Sequence, residues 1–552
     1  MSTQTAINPV DIPVLIVGGS IVGLSTALFL TKQNIPCLLV ERHSNTSIHA
    51  RAGSFNTRTM ELFRQVGLES PILQTETPPS ELGEMGLRVE SLAGAVVDTT
   101  EQIVKQQYQQ PDPFTSPTRR TMIGQNKLEP IVLAHARAAG CDIRFGTELL
   151  SFTQDANSVV AQLKELATGR AYQVRASYLV AADGNRSTIR QHLEINSYGY
   201  GTLGHWASIL FQTDLSELLP QRKITLCFVN NPTVEGIMGQ SYAHNWGLLA
   251  HLRPDEAAIL SEARCLELVH AAIGVPDWPV KLVNTLQWEL AARVAEHYQA
   301  GRVFLAGDAA HVMTTMGAFG ANTGIADAHN LAWKLAMVLK GQAAPSLLAT
   351  YEAERQPAAD LAVGVSLGLY AYRLPQHAQR EIIIASASRL LDRVRLTPDA
   401  PQPTGFSVVN GYRYRSTAII TKDDTPAPLF ENTPSGHPGT RAPHIWLAYQ
   451  DERLSTLDLF GIGFVLLTPD STIWSEAITS VANKLDIPLA IYGIGAKQTY
   501  TDPERAFRSA YGIASTGAVL VRPDGFIAWR THSMPSHPTQ TLEHILRKIL
   551  RS

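Results

Sequence analysis

Ile12-Pro13-Val14-Leu15-Ile16-Val17-Gly18-Gly19-Ser20-Ile21-Val22-Gly23-Leu24-Ser25-Thr26-Ala27-Leu28-Phe29-Leu30 is the stretch whose reading decides the fold. Its first six residues form a short apolar run ending at a glycine, the pattern of a buried parallel strand. The apolar-periodic residues from Leu24 onward read as a helix, so strand, tight turn and helix follow directly. Gly18 lets the chain turn sharply off the strand, and Gly23 lets the helix pack closely on the sheet. The helix start, at Ser20 and Ile21, then offers free N–H groups and partial positive charge to a pyrophosphate. Ser20 stands where the fingerprint has its second glycine, and its hydroxyl can itself reach a phosphate.

A second apolar run, Cys37-Leu38-Leu39-Val40, ends in Glu41, 18 residues after Gly23. An acid at the tip of the second strand, about 20 residues on, suits a ribose diol. These features predict a dinucleotide-binding α/β domain but do not separate FAD from NAD. Two later segments bear on that choice. Tyr178–Arg190 and Gly301–His311 each read as an apolar strand ending in an acid beside glycine, Asp183-Gly184 and Gly307-Asp308. Asp308 is placed to accept from a ribityl hydroxyl; its plain alternative is a turn or N-cap acid. A metal reading of His311 with Asp308 lacks further ligands nearby. Beyond Asp308, Gly320-Ala321-Asn322 lead into a helix expected to start near Asn322, whose Ile325, Ala328, Leu331, Ala332, Leu335, Val338 and Leu339 share one face. Its N-terminus would favour negative charge on a reduced flavin by about 0.3–2 kcal/mol.

At 552 residues the chain exceeds one ordinary core, and two or three domains are expected. Apolar content of 45%, 17% charged residues and a net charge of −3 fit a globular protein with no long-range attraction to nucleic acid or anionic membrane. The first residues carry no basic segment ahead of an apolar core, and the run from Val17 to Leu30 is too broken to span a bilayer. A cytoplasmic location is the expectation. Cys37, Cys141, Cys227 and Cys265 are scattered without CxxC spacing and read as four reduced thiols, with no metal site.

Ala207–Gln212 and Trp246–Leu252 alternate as strands of an antiparallel sheet, one face of which would roof a pocket over the cofactor. Residues 396–406 form a Pro-rich linker. After it, apolar runs at Phe464–Leu467, Leu489–Tyr492 and Ala518–Val521, and a hairpin signal at Arg522-Pro523-Asp524-Gly525, predict a small α/β domain.

The three cofactor motifs resemble those of the class A flavoprotein monooxygenases, the group of para-hydroxybenzoate hydroxylase. The likeness extends through His49–Gly53, Asn56–Glu61 and Gln125-Asn126-Lys127-Leu128-Glu129. Segments Gly411–Ser416, Arg453–Phe460 and Leu520–Gly525 look most like the anthracycline and aromatic polyketide hydroxylases of the aklavinone hydroxylase type. The resemblance implies a Rossmann-like FAD-binding domain (1–75, 115–190 and 290–395), a substrate-binding sheet domain (76–114 and 191–289) and a thioredoxin-like domain without CxxC (405–552). It implies FAD, NADPH or NADH as co-substrate, O₂, and a polycyclic aromatic substrate hydroxylated through a flavin C4a-hydroperoxide. The alternative is Baeyer–Villiger or epoxidising oxygenation by the same intermediate. A monomer or homodimer with no nucleic-acid or membrane partner is expected.

By the same resemblance Glu41 takes the adenosine ribose and Arg51 lies near pyrophosphate and nicotinamide, with Arg42 beside Glu41. Gln125 and Asp308 contact the ribityl chain, and Asp183 with Gly184 serves FAD and NAD(P)H. Arg373 is the candidate for favouring a phenolate; otherwise it is a surface arginine at a helix end. Family members usually carry Pro-Pro where this chain has Thr314-Thr315, so a looser turn with added donors is expected there. A family tyrosine on the pocket strand corresponds to Phe228, which removes a hydroxyl.

Overall fold

The computed structural model describes residues 10–49, 51–78, 83–99, 115–220, 222–242, 245–256, 260–372, 378–421, 427–450 and 452–551. Five strands form the parallel core of an eight-stranded sheet: β1 (Val10–Val17), β2 (Cys37–Glu41), β3 (Asp142–Phe145), β4 (Ala171–Ala181) and β5 (Val303–Leu305). Their order is β5-β4-β1-β2-β3, and every neighbouring pair is parallel. Later strands lie on both sides of β1, so the order reverses there. In such sheets ligands bind in the crevice beyond the carboxyl ends at the reversal.

The core helices are α1 (Ile21–Lys32), α2 (Thr57–Gln65), α3 (Gln125–Ala138), α4 (Gly320–Leu339) and α5 (Thr350–Ala371). Leu15, Ile16, Leu24, Leu39, Leu179, Phe304 and Ile325 share one buried core. Helix α4 differs from the amphipathic reading, because it is buried on every side from Asn322 to Met337. Its polar residues Asp327, Asn330 and Lys334 are buried as well, since the C-terminal domain and α5 cover the second face.

The second eight-stranded sheet is mostly antiparallel and includes Ser197–Gln212 between Lys281–Ala295 and Asn245–Leu252. Ala207, Ile209 and Phe211, with Cys227, Val229, Leu248 and Ala250, pack with Cys265, Leu268 and Val269 of the helix Glu262–Ile273. Strand alternation turns Phe228 and Leu249 to the other face. Leu249 and Trp288 reach from that face to the core of the parallel sheet.

A four-stranded sheet in the order Leu489–Gly493, Phe464–Thr468, Ala518–Val521, Ile527–Thr531 forms the C-terminal domain. The first pair is parallel and the other two are antiparallel. A strand–helix–strand unit followed by a hairpin and the final helix Pro538–Arg551 makes it thioredoxin-like. No cysteine follows Cys265, so it has no dithiol chemistry. Among the described residues, no helix is long and apolar enough to cross a membrane.

Candidate cofactor and active site

The carboxyl ends of β1, β2, β4 and β5 deliver Gly18, Glu41, Asp183 and Asp308 to one rim of the sheet. The strand ends are laced together by backbone bonds from Gly18 to Val40, Ala182 to Val17 and Ala306 to Ala181 (2.8–2.9 Å). Gly18 has φ +112, and a Cβ there would meet the Ala182 oxygen at 2.2 Å. A Cβ on Gly23 would lie 1.8 Å from the Gly18 oxygen, so the turn and helix close only without side chains. Glu41 accepts from the Gly19 N–H at 2.6 Å and from the His43 N–H at 2.9 Å, which ties the β2 tip to the turn.

The start of α1 already faces a protein carboxylate. Glu129 of α3 is fully buried and accepts from the Ile21 N–H at 3.0 Å, the Ser20 hydroxyl at 2.6 Å and the Gln125 amide at 2.7 Å. Its second oxygen accepts from the Ser47 N–H at 2.9 Å. Ser20 also accepts from the Gln125 amide at 2.9 Å, so its hydroxyl is committed inside the protein rather than held free for a phosphate.

Asp183 and Asp308 stand in contrasting settings. One oxygen of Asp183 is buried with no hydrogen-bond partner, and burial raises its pKa despite the Ser187 hydroxyl and Ile189 N–H. Asp308 is open to solvent yet surrounded by protein. Burial pushes its pKa up, opposed by the charges of His311 and Arg51. Arg190 joins the two loops by donating to the carbonyls of Ala309 (2.9 Å) and Asn185 (3.1 Å). Beneath them, Asp327 accepts from the Gly307 N–H at 3.1 Å and bonds His311 at 2.6 Å. Arg355 donates to the other oxygen of Asp327 at 2.7 Å and to the Tyr414 hydroxyl at 3.0 Å.

The α4 N-terminus begins at Gly320, two residues before the expected start, and Gly320, Ala321 and Asn322 supply its first N–H groups. The Asn322 side chain is fully engaged elsewhere. It accepts from the Asn56 N–H and the Thr59 hydroxyl and donates to the Ser54 and Ala318 carbonyls, so only its backbone is left for a ligand. The turn at Thr314-Thr315 is pinned rather than loosened. Ser366 of α5 bonds the Thr314 hydroxyl at 2.6 Å and donates to the Thr314 and Met316 carbonyls at 3.1 and 2.9 Å. Thr315 is exposed, and its carbonyl accepts from the Ala318 N–H at 3.3 Å. Arg42 and Arg51 are exposed, Gly184 has open space where a Cβ would be, and Arg373 lies outside the described residues.

The rim therefore suits a dinucleotide: a cradle that excludes Cβ atoms, an orphaned buried oxygen on Asp183, and an exposed Asp308 flanked by His311 and Arg51. Four contributors carry no role in the sequence reading: Glu129, Asp327, Arg355 and Ser366. Glu129 had a signal, since it follows Gln125 by four residues and shares its helix face. Among the described residues, no group of three or more His, Cys, Asp or Glu is placed to hold a metal ion.

The FAD binding domain family matches residues 11–366, and the aromatic-ring hydroxylase C-terminal family matches residues 435–552. The chain is 41% identical to 4-methyl-5-nitrocatechol 5-monooxygenase of Burkholderia sp, covering 98% of each chain. It is 40% identical to aklavinone 12-hydroxylase of Streptomyces purpurascens, covering 98% of this chain and 99% of that one. The solved ternary complex of aklavinone-11 hydroxylase with FAD and aklavinone superposes with a TM-score of 0.86 at 39% identity, over 99% of this chain and 100% of that one. Strand ends, cradle and near-complete coverage agree, and this protein belongs to the FAD-dependent aromatic-ring hydroxylases, a family of flavin monooxygenases.

Proposed function

We propose that the protein hydroxylates a polycyclic aromatic molecule of polyketide type, using FAD, NADPH or NADH, and O₂. The observation that carries this reading is the likeness, over 99% of the chain, to a hydroxylase solved with FAD and aklavinone. Bound FAD supplies the activated oxygen, and the protein supplies position, charge and exclusion of water. The Gly18–Gly23 turn receives the pyrophosphate with Arg42 and Arg51, and Glu41 receives the adenosine ribose. Gln125 and Asp308 receive the ribityl chain. The N–H groups of Gly320, Ala321 and Asn322 receive the flavin ring, and Asp183 with Gly184 serves FAD and NAD(P)H.

The three units assign as an FAD-binding domain (1–75, 115–190, 290–395), a substrate sheet (76–114, 191–289) and the thioredoxin-like domain (405–552). The sheet face bearing Phe228 roofs the substrate, the exposed Thr315 borders it, and Arg373 favours a phenolate. The enzyme works in the cytoplasm as a monomer or homodimer. Baeyer–Villiger or epoxidising chemistry is not favoured, because the aklavinone 12-hydroxylase and aklavinone-11 hydroxylase that the chain resembles are hydroxylases.

The test is NADPH and O₂ consumption by the FAD-loaded protein against polycyclic phenols, quinones and nitrocatechols, with product mass. A product heavier by one oxygen with an intact ring system supports the reading. Turnover of nitrocatechols alone would replace the substrate class, and a lactone would replace the reaction. Asp308→Ala is expected to lower FAD retention; unchanged flavin content would remove Asp308 from the site.

A further inference from the structure

Strands β2 and β3 pair in parallel with Leu38 opposite Asp142, which sets Cys37 and Cys141 side by side one residue earlier. Both sulfurs reach the same carbonyl oxygen, that of Ala27 in α1, at 3.9 Å from Cys37 and 3.4 Å from Cys141. The Thr31 hydroxyl contacts the Cys141 sulfur at 2.6 Å. Neighbouring strands lie about 4.7–4.9 Å apart, inside the roughly 4.4–6.8 Å Cα separation of disulfides. Both thiols are free and largely buried, Cys37 6% and Cys141 8% exposed. Cys227 and Cys265 sit instead in the core of the second sheet.

We propose that Cys37 and Cys141 are a modification site at which hydrogen peroxide writes an intrachain disulfide. The Cys141 thiolate attacks the peroxide O–O bond, forming a sulfenic acid and releasing one oxygen as water. The Cys37 sulfur then attacks the sulfenic sulfur, the S–O bond breaks, and a second water leaves. Two thiols are oxidised to one disulfide, and one peroxide is reduced to two waters. The Thr31 hydroxyl on the Cys141 sulfur assigns it the first attack. A hydrogen bond from Cys37, with Thr31 assisting against burial, lowers the Cys141 pKa to about 7. The same hydrogen bond and burial raise that of Cys37. Peroxide is what a flavin monooxygenase releases when reduced flavin meets O₂ without productive substrate. The link would staple edge strand β3 to β2, whose far end carries Glu41.

The proposal rests on the oxygenase reading only for the origin of the peroxide, and its test adds peroxide directly. FAD-loaded protein is treated with hydrogen peroxide, alkylated under denaturing conditions and mapped by mass spectrometry without reductant. The expected result is a loss of two alkylatable thiols and a Cys37–Cys141 cross-linked peptide that dithiothreitol reverses, with slower amide exchange at residues 142–145. Four thiols still alkylatable after treatment would overturn the proposal, as would Cys141 oxidised alone beside a free Cys37. In Cys37→Ser, dimedone is expected to trap a sulfenic acid at Cys141, and no cross-link forms.

Discussion

The Glu129 carboxylate accepts from the Ile21 N–H at 3.0 Å, so a protein anion stands at the positive end of α1. The same oxygen holds Ser20 and Gln125, and the other holds the Ser47 N–H. Glu129→Ala strands buried donors, at about 1–3 kcal/mol for an unsatisfied group. Urea unfolding of the apoprotein is expected to show a loss of that size, with weaker FAD retention. Glu129→Gln keeps an acceptor and is expected to lose less. Equal stability of Glu129→Ala and the parent would show that the contacts do not shape the turn.

Glu354 joins α5 to the C-terminal domain. Arg522 donates to both its oxygens, at 2.5 and 2.8 Å, and Lys334 of α4 donates at 2.7 Å, with all three side chains fully buried. Arg522 also bonds Asp524, which accepts from Asn330 of α4 at 3.2 Å. Removing one member of a buried pair costs about 3–5 kcal/mol, because the remaining charge is left uncompensated. Arg522→Met is expected to destabilise by that order in chemical unfolding. A change under 1 kcal/mol would mean that the domain is held by apolar packing alone, through contacts such as Trp333 on Phe464.

The reach of the sequence follows from the distance over which each feature acts. Gly18, Gly23 and Glu41 were legible because a strand, a turn and a helix carry their chemistry within a few residues of each other. Strands β4 and β5 were legible as apolar runs that each end in an acid beside glycine, but their parallel order beside β1 joins segments more than 100 residues apart and was not. The full burial of α4 was not legible, since Asn330 meets Asp524 across 194 residues of chain. The pairing of Cys37 with Cys141 was hidden likewise, because β3 returns to β2 only after α2 and α3. The Pro-Pro departure suggested a loose turn at Thr314, whereas Ser366, 52 residues on, pins it.

Asp327 positions the loop that presents Asp308. It holds Gly307 and His311 with one oxygen and Arg355 with the other. Burial opposes its charge, but His311 and Arg355 overcome burial and keep its pKa low. Asp327→Asn keeps the shape and removes the charge, leaving Arg355 buried without a carboxylate; a loss of about 3–5 kcal/mol is expected. FAD dissociation, followed by flavin fluorescence, is expected to quicken as the loop loosens. Stability lost with flavin release unchanged would make Asp327 a fold residue only.

Two buried imidazoles should make the protein less stable as pH falls below about 6.5. Burial, with Arg58 nearby, lowers the pKa of His329 to about 3, and burial, with Arg441 nearby, lowers that of His444 to about 4. Each has a ring nitrogen buried without a partner. Both stay neutral in the folded protein, whereas the unfolded chain takes up protons near pH 6.5. The unfolded state therefore binds more protons below that value, and stability falls as pH drops from about 6.5 toward 4. At roughly 1.4 kcal/mol per pH unit, His444 alone contributes up to about 3 kcal/mol of this loss. Glu61, held low by Arg441 and Arg58 against burial, adds its loss only below its ordinary 4.5. Unfolding free energy measured between pH 7 and 4 is expected to decline across the range, and replacing His329 and His444 with glutamine should flatten it. Asp360, whose pKa burial raises to about 6, gains stability over the same range, so the comparison with the glutamine variant decides the point: identical slopes in parent and variant would show that neither ring is held neutral by the fold.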